Sequence, residues 1–329
     1  MKVLVTGAGG FIGTHLVKYL KAQGYWVRGV DLNYPAWAGM EADEFKLLDL
    51  REWENAVAAV QGVEWVFALA ADHGGIQHIT NPAMQAAILW NNTLINFNTI
   101  KAALEADVKR YLFTSSVCVY PTTKFSATSP VPLVEDDAYP ALPQDTYGWE
   151  KLQAEHLCKA FNESYDLETR IVRFQTVYGP HSDWHSSRAK APPALARRVA
   201  EAKLTGDSEV EIWGDGKQTR SFMYIDDCVR GVLSLMESNY SNPITLGPDR
   251  NTSINEMVDI LGSAAGIEIT KKHIDGPQGV RGRCFNHDRL REVLGWEPQT
   301  SLEEGLKILY DWVEGEVKAS SSAGKVNNV

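Results

Sequence analysis

The stretch "KVLVTGAGGFIGTHLVKYL", residues 2–20, narrows what this chain can fold into more than any other. An apolar run ends in a glycine-rich turn and restarts at once with helical spacing, the pattern of a strand turning directly into a helix. Gly7, Gly10 and Gly13 stand three apart across the turn. Glycine permits a turn this tight, and it leaves the unpaired amides at the helix start open to an anion. A strand followed by a helix is half of a crossover unit, and strands running the same way need such crossovers.

The alternation continues. "WVRGVDL", "VEWVFALAA", "RYLFTSS" and "LETRIVRFQTVYGP" read as strands, and "MQAAILWNNTLINFNTIKAALEAD" as a long helix. Strands that are apolar throughout belong to a parallel sheet covered on both faces. The expectation is an α/β fold with a doubly wound parallel sheet over residues 1–176, to which part of 222–248 returns. A smaller lobe takes 177–221 and 249–318, opening with a loop-rich stretch around Pro192-Pro193. Residues 319–329 are polar and small, which predicts a flexible tail.

Charge and cysteine usage bound the function. A net charge of −10 argues against nucleic acid or an anionic membrane as partner. No apolar run approaches the roughly 20 residues of a membrane span, and the first strand starts too early for a secretory signal. The four cysteines lack framework or paired spacing, so they read as reduced thiols in a cytoplasmic protein. Basic residues are clustered locally, Arg188, Lys190, Arg197 and Arg198 in one group and Arg281 and Arg283 in another, which suits a small anionic ligand. "HSDWH", with His181, Asp183 and His185, has no second ligand set and reads as a loop, so no metal is expected.

The glycine turn predicts a dinucleotide site. Asp31 ends the second strand at the distance expected of an acid that holds the adenosine ribose. No arginine follows in "DLNYP" to receive a 2′-phosphate, which favours NAD over NADP. Tyr147 and Lys151 lie four apart in "YGWEK", on one face of a helix. An ammonium beside a phenol stabilises phenolate, so this pair can move a hydroxyl proton while hydride moves to or from nicotinamide. Ser116, at the mouth of the preceding strand, is placed to bond the same oxygen.

These residues in this order, with "LAA" (Leu69–Ala71), "VYGP" and "RSFMYIDD", resemble extended short-chain dehydrogenase/reductases acting on sugar nucleotides. The likeness extends to "LGWEP" and "SLEEGLK" and implies a Rossmann-type fold. "SSVCVYP", "YGWEKL", "KAPPA", "WGDGKQTRSF" and "GPQGVRGR" narrow it to the GDP-mannose 3,5-epimerase family. That family interconverts GDP-D-mannose and GDP-L-galactose, with GDP-L-gulose as a further product, using tightly held NAD in a homodimer. The neighbouring alternative is another sugar-nucleotide epimerase, such as a 4-epimerase. The resemblance extends the cofactor site to Phe11, Ile12, Asp49, Leu50, Leu69, Ala70 and Ala71. It places Gly74, Gly75, Val117, Thr176, Ala191 and Ser221 around the substrate, with Arg198, Gln218, Arg220 and Arg283 toward the diphosphate and nucleoside.

Cys118 acquires a role here. A cysteine in a buried stretch is usually a small core hydrophobe. Epimerising a carbon that bears only hydrogen, carbon and hydroxyl instead requires a transient C4 ketone, which acidifies the protons at C3 and C5. Each inversion then needs a base on one face and an acid on the other. The resemblance assigns those roles to Cys118 and Lys190. Sugar-nucleotide 4,6-dehydratases carry an Asp-Glu pair where Val117-Cys118 stand. Two positions depart from the family: Thr176 replaces an asparagine, and His73 a methionine, in a loop whose length also differs. The homodimer is expected on the apolar helix around Ala86 to Leu104 and on the helix carrying Tyr147.

Overall fold

The computed structural model describes residues 1–125, 131–276 and 279–326. Pro277 and Gln278 of the "GPQGVRGR" stretch and residues 327–329 of the expected tail lie outside them. The first half alternates as the apolar periodicity demands: β1 (Lys2–Thr6), α1 (Phe11–Ala22), β2 (Trp26–Asp31), β3 (Glu44–Leu47), α2 (Trp53–Val60), β4 (Trp65–Ala68), α3 (Ile76–Ile79), α4 (Gln85–Glu105), β5 (Arg110–Ser116), α5 (Thr146–Ser164) and β6 (Glu168–Phe174). Then follow β7 (Thr176–Tyr178), α6 (Ala191–Thr205), β8 (Glu209–Trp213), β9 (Thr219–Arg220), β10 (Phe222–Tyr224), α7 (Ile225–Glu237) and β11 (Pro243–Leu246). The chain ends with β12 (Thr252–Ser253), α8 (Ile254–Ala265), β13 (Thr270–Ile274), α9 (Asp288–Leu294) and α10 (Leu302–Val326).

Seven parallel strands form one sheet in the order β11-β6-β5-β4-β1-β2-β3. Side chains alternate across it. Val3 and Val5 of β1 join a cluster with Leu16 and Leu20 of α1 and Val229 and Val232 of α7. Leu4, between them, faces a second cluster with Ala56 and Val60 of α2, Ile100 of α4 and Ala154 of α5. Strands buried on both faces have no polar edge to show, which is why their sequences are apolar throughout. The doubly wound α/β reading therefore matches the structure. Strand order reverses between β1 and β4, and such a switch point opens a crevice at the strands' C-terminal ends.

The smaller lobe rests on α6, α8 and α10, which pack on one another, beside the parallel pair β8–β13. The chain comes back to the sheet through α7 and the edge strand β11. Two features differ from expectation. Pro192-Pro193 sit in the first turn of α6 rather than in a loop, since proline has no N–H to lose there and its φ already suits a helix. Likewise α10 runs through most of the segment expected as a tail, continuing from a stripe of buried Leu302, Leu306, Leu309, Val313 and Val317.

Candidate active site

A single cleft of about 1240 Å³ runs from the switch point into the smaller lobe. At one end is the glycine turn. Gly7 has φ +69°, and a Cβ on Gly13 would lie 2.0 Å from the Gly7 carbonyl oxygen, so neither position admits another residue without movement. Gly10 caps α1 with no side-chain bond, and the first turn holds no acid. The free amides and the positive end of the helix dipole therefore remain for a pyrophosphate. Asp31 accepts from the amides of Gly9 (2.9 Å) and Asn33 (3.0 Å), which fixes the turn from the ribose side. Phe11, Ile12, Leu50, Leu69, Ala70 and Ala71 line the same cleft. These residues fit NAD. Asp49 also lines it, but its carboxylate is held by Arg51 at 2.5 Å, and that hydrogen bond keeps it below the usual carboxylate range.

Deeper in, Ser116 ends β5 and caps a short turn through its Oγ, which accepts from the Cys118 amide at 3.2 Å. The start of α5 lies against this turn, because a Cβ on Gly148 would meet the Cys118 carbonyl oxygen at 2.3 Å. That approach brings Tyr147 and Cys118 into one small cluster with Ile79 and Ile88. Lys151 follows one turn later, its Nζ 5.5 Å from the Tyr147 ring centroid and 4.8 Å from that of Phe113. Burial pushes the Lys151 ammonium down, against the pull of Glu150.

The expected lowering of Tyr147 is not what these surroundings produce. Burial pushes the phenol well above its ordinary value, with Cys118, Glu150 and Asp145 adding to the rise and a hydrogen bond from Ser116 opposing it. Desolvation outweighs an ammonium that is itself desolvated.

Behind the pair is a buried polar network that the sequence did not disclose. Glu150 accepts from Asn92 (3.2 Å) and Asn96 (2.5 Å) of α4, and the Asn92 side-chain oxygen accepts from the Asp72 amide at 2.6 Å. The loop after β4 is thus tied to both helices. Its other end is tied to the smaller lobe, since the Gly75 amide donates to the Arg188 carbonyl at 2.9 Å. Gly75 has to be glycine there: a Cβ would lie 2.7 Å from the Ala189 oxygen.

The next residue, Lys190, caps α6 and lines the cleft with Ala191. Burial lowers its ammonium below the usual range, while Cys118 and Cys228 oppose the shift. A desolvated lysine of this kind can accept a proton. On Cys118 itself, Arg283 Nη1 donates to Sγ over 3.6 Å, a contact no local sequence pattern announces between residues so far apart. Arg220 lies close enough that Arg283 depresses it further; burial first, then that neighbour, brings it to about 9. Arg220 donates to the Thr219 (2.7 Å) and Val280 (2.6 Å) carbonyls. Arg198 donates to the Glu211 carbonyl and stacks 5.4 Å over Trp213. The Gln218 Oε1 and the Arg283 Nε are buried without a hydrogen-bond partner among the described residues.

Gly74, Val117 and Thr176 line the cleft too. Ser221 does not. It is buried, and its Oγ donates to Asn251 at 3.0 Å, because the backbone turns it toward the smaller lobe's interior. His181 stacks on His15 and His185 packs edge-on to Trp37; among the described residues no group is placed to hold a metal. No helix among the described residues is long and apolar enough to cross a membrane.

Residues 3–246 match the NAD dependent epimerase/dehydratase family. The chain is 43% identical to GDP-mannose 3,5-epimerase of Arabidopsis thaliana, over 98% of this chain and 85% of that one. It is 41% identical to GDP-mannose 3,5-epimerase 1 of Oryza sativa subsp. japonica, over 98% and 84%. Among solved structures it is similar to a UDP-glucose 4-epimerase from Thermotoga maritima with UDP-glucose, at 27% identity, covering 96% of this chain and all of that one with TM-score 0.83. A UDP-glucuronic acid 4-epimerase from Bacillus cereus, in complex with UDP-glucuronic acid and NAD, matches at 26% identity, 96% and 100% coverage and TM-score 0.79. A family match over residues 3–246, with likeness to relatives along nearly the whole chain, places the protein in the NAD dependent epimerase/dehydratase family, with NAD as its cofactor.

Proposed function

We propose that the protein is a GDP-mannose 3,5-epimerase, converting GDP-D-mannose to GDP-L-galactose and GDP-L-gulose. The observation that carries this reading is the pairing of Cys118 with a desolvated Lys190 in the cleft that also holds Tyr147 and Lys151. Inversion at C4 alone needs one proton shuttle and a hydride acceptor. A thiol and an amine beyond that shuttle answer the need for proton transfer at C3 and C5.

Tyr147, beside Ser116 and backed by Lys151, is the group to take the C4 hydroxyl proton as phenolate and later to give one back. Its burial disfavours that form, and a neighbouring positive charge restores it. When bound, NAD supplies positive charge and a reversible acceptor for the C4 hydride. The resulting ketone acidifies both neighbouring C–H bonds. Cys118 and Lys190 then remove a proton from one face of the ring and return one to the other. Arg198, Gln218, Arg220 and Arg283 fit the nucleoside diphosphate, and Gln218 Oε1 and Arg283 Nε have no hydrogen-bond partner among the described residues.

All four cysteines are free thiols, which suits a reducing cytoplasm and leaves Cys118 chemically available. The outer faces of α4 and α5 support a homodimer.

Incubation with GDP-mannose in heavy water, followed by NMR of the products, tests the proposal. Deuterium at C3 and C5 together with inverted sugars is expected. The likeness to UDP-glucose 4-epimerases favours a second reading, in which only C4 inverts. That reading predicts a C4 epimer with no deuterium in the ring. Growing NADH absorbance in proportion to substrate consumed would replace both with a net dehydrogenase.

A further inference from the structure

The loop between β4 and α3 presents one side chain that this chemistry leaves unused. His73 lines the cleft with its ring centroid 5.9 Å from that of Tyr147. Its side chain makes no hydrogen bond to any described residue. The backbone on either side is nevertheless fixed. The Asp72 amide is bonded by Asn92 at 2.6 Å, and the Asp72 carboxylate by Asn91 (3.0 Å) and His78 (3.1 Å). On the other side, Gly75 is pinned to Arg188.

The ring is open to the cleft although protein surrounds it. Those surroundings, then the charges of Lys190, Lys151, His78 and Arg188, hold it well below the ordinary histidine range. It is therefore uncharged at neutral pH, with one nitrogen donating and the other accepting. A hydroxyl has the same dual capacity. Diphosphate has no donor to offer, so it uses only half of that capacity, and Arg198, which suits it, stacks over Trp213.

We propose that His73 is a specificity-determining residue that hydrogen-bonds a hexose hydroxyl other than that at C4, on the sugar held beside Tyr147. The inference rests on the reading of the cleft as a GDP-hexose site. A thioether at this position, as the methionine of the resembled family, fills space but offers no comparable donor or acceptor. A polar group built to meet a hydroxyl is left unpaired when that hydroxyl is missing, so it rejects the deoxy analogue.

The test is steady-state kinetics of the NAD-loaded enzyme with GDP-mannose and its 2-deoxy and 6-deoxy analogues, in wild type, His73→Met and His73→Gln. Wild type should disfavour one analogue by about tenfold or more in kcat/KM. His73→Met should flatten that preference and raise the KM for GDP-mannose about tenfold while kcat stays within about threefold. His73→Gln, which still donates and accepts, should keep most of the preference. Retained NAD and unaltered size in each variant establish that folding is not the cause. A wild type that turns over GDP-mannose, with analogue ratios untouched in His73→Met, overturns this inference alone. A wild type without turnover overturns the epimerase reading, and this inference with it.

Discussion

Cys118 reaches the cleft through two neighbouring approaches and one distant contact. Ser116 caps the turn that follows β5, Gly148 lets α5 approach that turn, and Arg283 meets the sulfur from the far end of the chain. Cys118→Ala keeps a small apolar side chain at a site only 9% exposed, so folding should change little. Tyr147, Lys151 and NAD stay, and C4 oxidation with its reversal stays with them. Deuterium uptake at C3 and C5 should fall with epimer formation by about 10²–10⁴-fold, the range for loss of one acid–base group. Lys190→Ala should behave alike by removing the partner on the opposite face, whereas Tyr147→Phe should stop turnover before a ketone forms. Exchange at the native rate in Cys118→Ala would return this thiol to core packing. In the sequence Cys118 and His73 stand out only through the family resemblance, the one as a matching thiol and the other as a departure from methionine, and their neighbours do not stand out at all. Arg283 lies 165 positions from Cys118, and only the folded chain puts its cation on that sulfur.

At the scale of elements, the site depends on how α5 is held to the sheet. Glu155 receives Arg173 Nε at 2.9 Å and Nη2 at 2.7 Å from β6, and Ser115 Oγ from β5 at 2.5 Å. The pair is almost wholly buried, with the remaining Arg173 nitrogen on the Glu135 carbonyl at 2.7 Å. Glu155→Ala leaves that guanidinium without its counter-charge, at a cost of about 3–5 kcal/mol. Urea unfolding should show the loss as a lower midpoint at unchanged slope; an unmoved midpoint would mean that water or a rearranged neighbour satisfies Arg173. Lys151 sits one turn before Glu155 on the same helix, so activity should become heat-labile along with the fold. The central strands were legible because burial on both faces forces apolar runs. By contrast, β3 reads "EFKL" on the sheet's edge, half exposed and half charged, and carries no such signal. Glu150, Asn92 and Asn96 were equally hidden: in a linear sequence, buried polar partners look like the exposed side of an amphipathic helix.

At the scale of the whole molecule, one face asks for a covering. α4 has no charged residue from Gln85 to Ile100, an odd composition for a helix at the surface. Its inner side packs on the sheet and on α5. Its outer side leaves Leu89, Trp90 and Phe97 at 41–67% exposure, and α5 adds Trp149 at 47%. Trp90 and Phe97 are seven apart, two helical turns, so they lie along one stripe. Apolar surface of this kind marks an interface, and a two-fold partner would present the same stripe in return. The wild-type holoenzyme should therefore sediment as a homodimer at micromolar concentration. Phe97→Glu would place a carboxylate opposite its own copy or next to it, and burying such unpaired charges should weaken association by at least about a hundredfold. The variant should sediment as a monomer that keeps its NAD, because Phe97 is not among the residues that line the cleft of the glycine turn. Its turnover should nevertheless fall. Asn96 is the residue before Phe97, and with Asn92 it anchors Glu150 behind Tyr147 and Lys151. Loosening the outer face of α4 therefore loosens the catalytic helix from behind. A wild type that remains monomeric at that concentration, or a Phe97→Glu protein that still dimerises, would take this face out of the assembly.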